Sequence, residues 1–165
     1  MLPDSSVFFR RDTVGRLRFR VRPGANYAHD IHFLSGYLHD ARFTPGSVTR
    51  RGKKLLIAVD RDCWELGLTR RPESSELHIA KSRLTLSPVS SVRWEADDLA
   101  CLGRELWIES IYLGAAHWES PVMLSEVVIS APHGGWKLCI TIADDFGDIR
   151  LNDLETPYLY SAKNP

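Results

Sequence analysis

The strongest alternation of polar and apolar positions lies early in the chain, in Arg16-Leu17-Arg18-Phe19-Arg20-Val21-Arg22. Period two sends Leu17, Phe19 and Val21 to one face of a strand and the arginines to the other. Pro23-Gly24 then closes the strand. The period changes over residues 27–41, where Asn26 stands at the N-cap position of a predicted helix. At ~100° per residue, Ile31, Leu34, Leu38 and Ala41 fall on one side, flanked by Phe33 and Tyr37. His29, His32, Gly36, His39 and Asp40 fall on the other. A glycine inside a helix costs stability, and Gly36 is read as room for a closely approaching strand.

Beyond residue 41 the pattern is strands and turns. Pro45-Gly46 and Arg51-Gly52 are turn signals, and Leu55-Leu56-Ile57-Ala58-Val59 reads as a buried strand. Arg70-Arg71-Pro72-Glu73-Ser74-Ser75 reads as a linker. Short strands are expected at Leu77–Ala80, Leu84–Leu86 and Val92–Glu95, and longer ones at 106–113 and 122–130. His133-Gly134-Gly135 marks a hairpin tip leading into 136–143. Asp144-Asp145-Phe146-Gly147-Asp148 marks a second hairpin turn, into 149–151. The expectation is a mainly β (α+β) fold: an antiparallel sandwich or open barrel-like sheet with one packed helix near residues 27–41.

The length, 165 residues, fits a single domain over 1–165, with a loosely held tail from about 157. A chain of this size buries roughly 70% of its unfolded surface and needs neither metal nor disulfide to fold. The start, Met1-Leu2-Pro3-Asp4-Ser5-Ser6, lacks a basic segment followed by an apolar one, and no apolar run approaches the ~20 residues of a membrane helix. A cytoplasmic location and no membrane association are expected. Cys63, Cys101 and Cys139 are odd in number and lack metal-ligand spacing, so buried free thiols in a reducing compartment are the simplest reading. Trp-Glu recurs at Trp64-Glu65, Trp94-Glu95 and Trp118-Glu119, which fits strands with tryptophan inward and glutamate outward.

Charge changes the picture more than composition does. Net charge is zero, yet residues 1–81 carry 15 Lys/Arg against 9 Asp/Glu (+6) and residues 82–165 carry 6 against 12 (−6). Either a basic surface is on offer, or the two halves pair inside one domain. Of 21 basic residues 16 are arginine, which suits bidentate recognition of carboxylate or phosphate. The candidate binding residues are Arg16, Arg18, Arg20, Arg22, Arg50 and Arg51, with Glu95, Glu105, Glu109, Glu119 and Glu126 as candidate internal partners.

The polar helix face, His29, His32, His39 and Asp40, is the second candidate. Its dipeptides His29-Asp30 and His39-Asp40 resemble the signature of HD-domain phosphohydrolases. That family is wholly helical and draws ligands from several helices, so the resemblance ends at those four residues. At 1.5 Å rise per residue, His32 and His39 lie roughly 10 Å apart along the axis, too far to share an ion. No HExxH, CxxC, GxSxG or phosphate-binding glycine loop occurs. Asp144, Asp145, Asp148, Asn152 and Asp153 do not follow the calcium-loop spacing. No metal and no cofactor are expected. Leu38-His39-Asp40-Ala41 before a hairpin is similar to a short pattern in some small bacterial interaction domains, including certain toxin-immunity proteins, and no residue roles follow from it.

The functional expectation is a non-catalytic binding domain whose arginine-rich face meets an acidic protein or a second copy of the chain. No aromatic residue interleaves the arginines on their own face, which disfavours nucleic acid. The alternative is a small hydrolase with a site assembled across the sheet, for example from His78, His117 and Asp97.

Overall fold

The computed structural model describes residues 10–11, 15–21, 24–64, 69–71, 74–114, 117–119, 122–143 and 147–160. Fifteen strands and one α-helix are assigned among them. In chain order they are β1 (Arg10–Arg11), β2 (Leu17–Val21), α1 (Tyr27–Leu38), β3 (Arg42–Phe43), β4 (Val48–Arg51) and β5 (Lys54–Asp62). There follow β6 (Thr69–Arg71), β7 (Ser74–Ser87), β8 (Val89–Ala96), β9 (Leu106–Trp107) and β10 (Ser110–Leu113). The last are β11 (His117–Glu119), β12 (Val122–Ser130), β13 (Trp136–Ile142), β14 (Asp148–Asp153) and β15 (Tyr158–Tyr160).

The strands form two antiparallel sheets. The larger runs β1-β2-β14-β7-β5-β3-β9, with β15 and β6 also on β7 and β4 on β5. The smaller runs β10-β12-β13-β8, with β11 on β12. One apolar cluster joins them, from Leu17, Phe19, Leu84, Leu86 and Leu151 of the larger sheet to Ile111, Ile129, Leu138 and Ile140 of the smaller. Phe43 bridges the layers, its ring 6.3 Å from Trp94 and 5.5 Å from Trp136. The expected mainly β fold with one helix is what the chain adopts, and the sheets stay open.

The helix docks as its periodicity dictates: Ile31, Leu34 and Leu38 are buried, with Ala41 just beyond, while His29, His32 and Gly36 are exposed. It packs on β2, β5 and β10. Two details differ from expectation. Asn26 is at the N-cap but makes no side-chain capping bond. Among the described residues, no atom outside the helix backbone lies within 4 Å of where a Cβ on Gly36 would stand, so none of the described strands approaches there.

Several strand boundaries also shift. Leu77–Ala80 and Leu84–Leu86 are one strand, β7, because period two continues through the polar stretch: Ser82 is buried while Lys81 and Arg83 are exposed. Within the expected buried run of β5, Leu55, Ile57 and Val59 are buried, while Leu56 is half-buried and Ala58 exposed. The expected linker at 70–75 is instead a hairpin, β6 pairing β7 up to Arg71 opposite Ser74. The run 106–113 splits because the chain changes sheets at the fully buried Ile108, whose N–H donates to the Ala41 carbonyl at 2.9 Å. Of the expected hairpin turn at 144–148, residues 144–146 lie outside the described residues; β13 and β14 on either side belong to different sheets and do not pair as a hairpin. The stretch from 157, expected as a loose tail, supplies β15 on β7, and 161–165 lie outside the described residues. Among the described residues, no helix is long and apolar enough to cross a membrane.

Candidate binding surface

Alternation in β2 places Arg18 and Arg20 outward, opposite to the buried Leu17, Phe19 and Val21. The strand order then does what the sequence alone could not. With β14 beside β2, and β7 beside β14, two cross-strand rows form on the outer face. One row is Arg18, Asn152, Arg83 and Ala58. The next is Arg20, Arg150, Thr85 and Leu56. Residues directly opposite one another share a face, so Arg18, Arg20, Arg83 and Arg150 converge on one patch, and all of them are exposed.

No carboxylate stands in either row. Asp148, two residues before Arg150 on β14, reaches between two guanidiniums. Its Oδ1 accepts from Arg20 Nε at 2.7 Å and its Oδ2 from Arg150 Nε at 2.9 Å. Burial works against the Asp148 charge, but the bonds from Arg150 and Arg20 outweigh it and hold the carboxyl below its usual range. Asp148 organises the patch and leaves it cationic.

Of the other sequence-predicted arginines, Arg16 is half-buried and Arg22 lies outside the described residues. Arg51 stands opposite Lys54, next to Gly52 at φ 60, on the same outward phase as Leu56. Arg50 is elsewhere: it is opposite Leu55, on the inward phase. There its Nη2 donates to the carbonyls of Val89 at 3.0 Å and Ser90 at 3.1 Å. It clamps the β4–β5 hairpin to the start of β8. Arg20 pairs with Asp148, and the contacts of Glu95 and Glu126 are with Arg93, within the second half of the chain.

The remaining outward residues form a mixed-charge depression of about 220 Å³, lined by Arg42, Ser47, Ala58, Asp60, Lys81 and Leu154 among others. That is below the roughly 300–1,000 Å³ typical of small-molecule sites. At its rim the Arg42 guanidinium lies 5.5 Å from the centre of the exposed Trp107 ring and bonds Asp62 at 3.1 Å. Burial pushes the Asp62 carboxyl up, with Arg42 pulling it back down.

The histidine face does not assemble. His29 stacks edge-on against Phe33 at 4.8 Å. His39 donates Nδ1–H to the Glu109 carbonyl at 2.9 Å and lies 3.7 Å from Asp40, while Trp64 donates to the His39 carbonyl at 2.9 Å. These contacts fasten the corner after the helix. Among the described residues, no three His, Cys, Asp or Glu side chains are grouped to hold a metal ion. His78 lies on β7 of the larger sheet, Asp97 follows the end of β8 of the smaller, and the His117 side chain lies outside the described residues. Cys63 and Cys139 are buried free thiols. Trp64 and Trp107 are exposed and Trp136 is buried, so tryptophan is not uniformly inward.

Sequence reasoning missed Arg83, Arg150 and Asp148. The signal was present: Arg83 precedes Leu84, and Arg150 sits between Ile149 and Leu151, both in the outward phase. Compared with known proteins, the chain matches no family model, no curated protein and no solved structure.

Proposed function

We propose that this chain is a non-catalytic binding module whose outer sheet face docks an acidic protein surface. The observation that carries the reading is the pair of adjoining rows that bring Arg18, Arg20, Arg83 and Arg150 to one exposed face, with Asp148 bonded to Arg20 and Arg150. Along a strand, outward side chains recur at about 6.6 Å, and neighbouring strands lie about 4.8 Å apart. The guanidiniums therefore form a grid that alternating carboxylates on a partner strand can match, each by a two-pronged bond. Neither row holds an aromatic ring on which a base could stack, which favours protein over single-stranded nucleic acid.

Poly-glutamate is the probe. Arg83→Gln and Arg150→Gln should each weaken its binding about two- to fivefold, the range of single exposed ion pairs, and flatten its salt dependence. Asp148→Asn should tighten it, because Asp148 competes for Arg20 and Arg150. Lys137→Gln, on the smaller sheet, should change nothing. Isothermal titration calorimetry reads all of these. Equal affinity across the series, or tighter binding of a single-stranded oligonucleotide that tracks the same arginines, sinks the reading.

A further inference from the structure

The smaller sheet ends on an open edge that complements itself. Strand β8 pairs β13 from Ala96 opposite Trp136 to Val89 opposite Ile142, and among the described residues no strand pairs its other side. The opposite end of that sheet is different: β10 meets the helix, its Ile111 N–H donating to Ser35 Oγ at 2.9 Å. The start of β8 is closed too. Val89 N–H donates to the Lys53 carbonyl at 2.7 Å, and Arg50 takes the Val89 and Ser90 carbonyls. What stays open is Ser91–Ala96. Asp97 N–H donates to the Gly135 carbonyl across β13, so by the alternation of an antiparallel ladder the backbone groups of Val92, Trp94 and Ala96 point away from the sheet. Such an edge is a template for another strand.

Side chains decide which strand fits. Arg93 and Glu95 share the outer face of β8, both exposed and paired with each other. We infer that β8 pairs with β8 of a second copy, antiparallel about a two-fold axis through Trp94, joining two five-stranded sheets into one. In that register Arg93 stands opposite Glu95 of the second copy, and Glu95 opposite its Arg93. Trp94 exchanges both backbone bonds with its own counterpart, and Val92 does so with Ala96. A shift to the neighbouring registers that keep the faces aligned puts Arg93 opposite Arg93, or Glu95 opposite Glu95. Like charges directly opposite are unfavourable, so this strand specifies a single register for itself. The pairing lies on a different sheet from the arginine patch and does not depend on it.

Analytical ultracentrifugation of the full chain over a wide concentration range is the test. A reversible dimer is expected. Arg93→Glu and Glu95→Arg each set like charges opposite twice, by symmetry, and should each weaken association at least about tenfold. The double variant Arg93→Glu/Glu95→Arg restores opposite charges at both positions and should restore the dimer. Circular dichroism confirms that each variant folds, and Arg83→Gln/Arg150→Gln should dimerise like the parent. A chain that sediments as a monomer at every concentration, single variants that associate as the parent does, or a double variant as weak as the singles would overturn the inference.

Discussion

Replacing Asp153 by alanine should destabilise the fold by about 3–5 kcal/mol, the cost of leaving a buried charge without its partner. Asp153 and Arg61 are fully buried in the inner face of the larger sheet. Arg61 donates Nε to Oδ1 at 2.8 Å and Nη2 to Oδ2 at 2.9 Å. The same carboxylate accepts from the Leu17 N–H at 2.8 Å and the Ser82 hydroxyl at 2.7 Å. One side chain thus ties β2, β5, β7 and β14 together. Asp153→Ala removes the acceptor of Arg61 Nε and Nη2 and that of the Leu17 N–H at once, and takes from Ser82 its shorter bond. Arg61→Met/Asp153→Leu removes both charges and should cost clearly less than Asp153→Ala alone. Urea unfolding measures both. An Asp153→Ala variant within about 1 kcal/mol of the parent, the ordinary size of a single mutation, would show that the pair is not the junction described.

Leu34→Ala should cost about 2–5 kcal/mol, as for other fully buried leucines cut to alanine. The expectation rests on how little else holds the helix. It is 12 residues long, contains Gly36 and lacks a capping side chain, so an isolated copy would be marginal in water. Its stability comes from the face of Tyr27, Ile31, Leu34, Tyr37 and Leu38 buried against β2, β5 and β10. Set against a typical total of about 5–15 kcal/mol, the loss is large. Thermal unfolding monitored by far-UV circular dichroism should show a much lower midpoint. An unchanged midpoint would mean that the helix is held by something other than this face.

Much of this structure is legible in the chain because period two and period 3.6 are read locally. Leu17, Phe19 and Val21 point inward as the alternation requires, and the helix buries the face its spacing selects. The same rule applied further would have found the buried ion pair. Arg61 continues the inward series Leu55, Ile57, Val59, and Asp153 continues Ile149, Leu151. Two charges in inward phase announce a partnership, yet only the fold shows that they meet. The arginine patch is similar. Each arginine's facing follows from its neighbours, but the rows exist because β14 inserts between β2 and β7, and its pairing with β2 spans more than a hundred residues of chain. The change of sheet at Ile108 was illegible for another reason: the apolar run is continuous, and the corner is made by backbone bonds to Ala41 and Asp40 rather than by glycine or proline.

The charge asymmetry between the halves resolves in both directions. Arg61–Asp153 and Arg20–Asp148 join the basic half to the acidic half inside the molecule. Arg83 and Arg150 come from the acidic half itself and add to the patch. A surface built from both halves is a property of the fold, and mapping it is the most direct measurement. In ¹H–¹⁵N NMR spectra recorded during titration with an acidic peptide, the largest shifts should cluster at residues 18, 20, 83, 85, 150 and 152 and shrink as salt rises. Shifts centred on the smaller sheet, or none at saturating peptide, would contradict the assignment of this face as the binding surface.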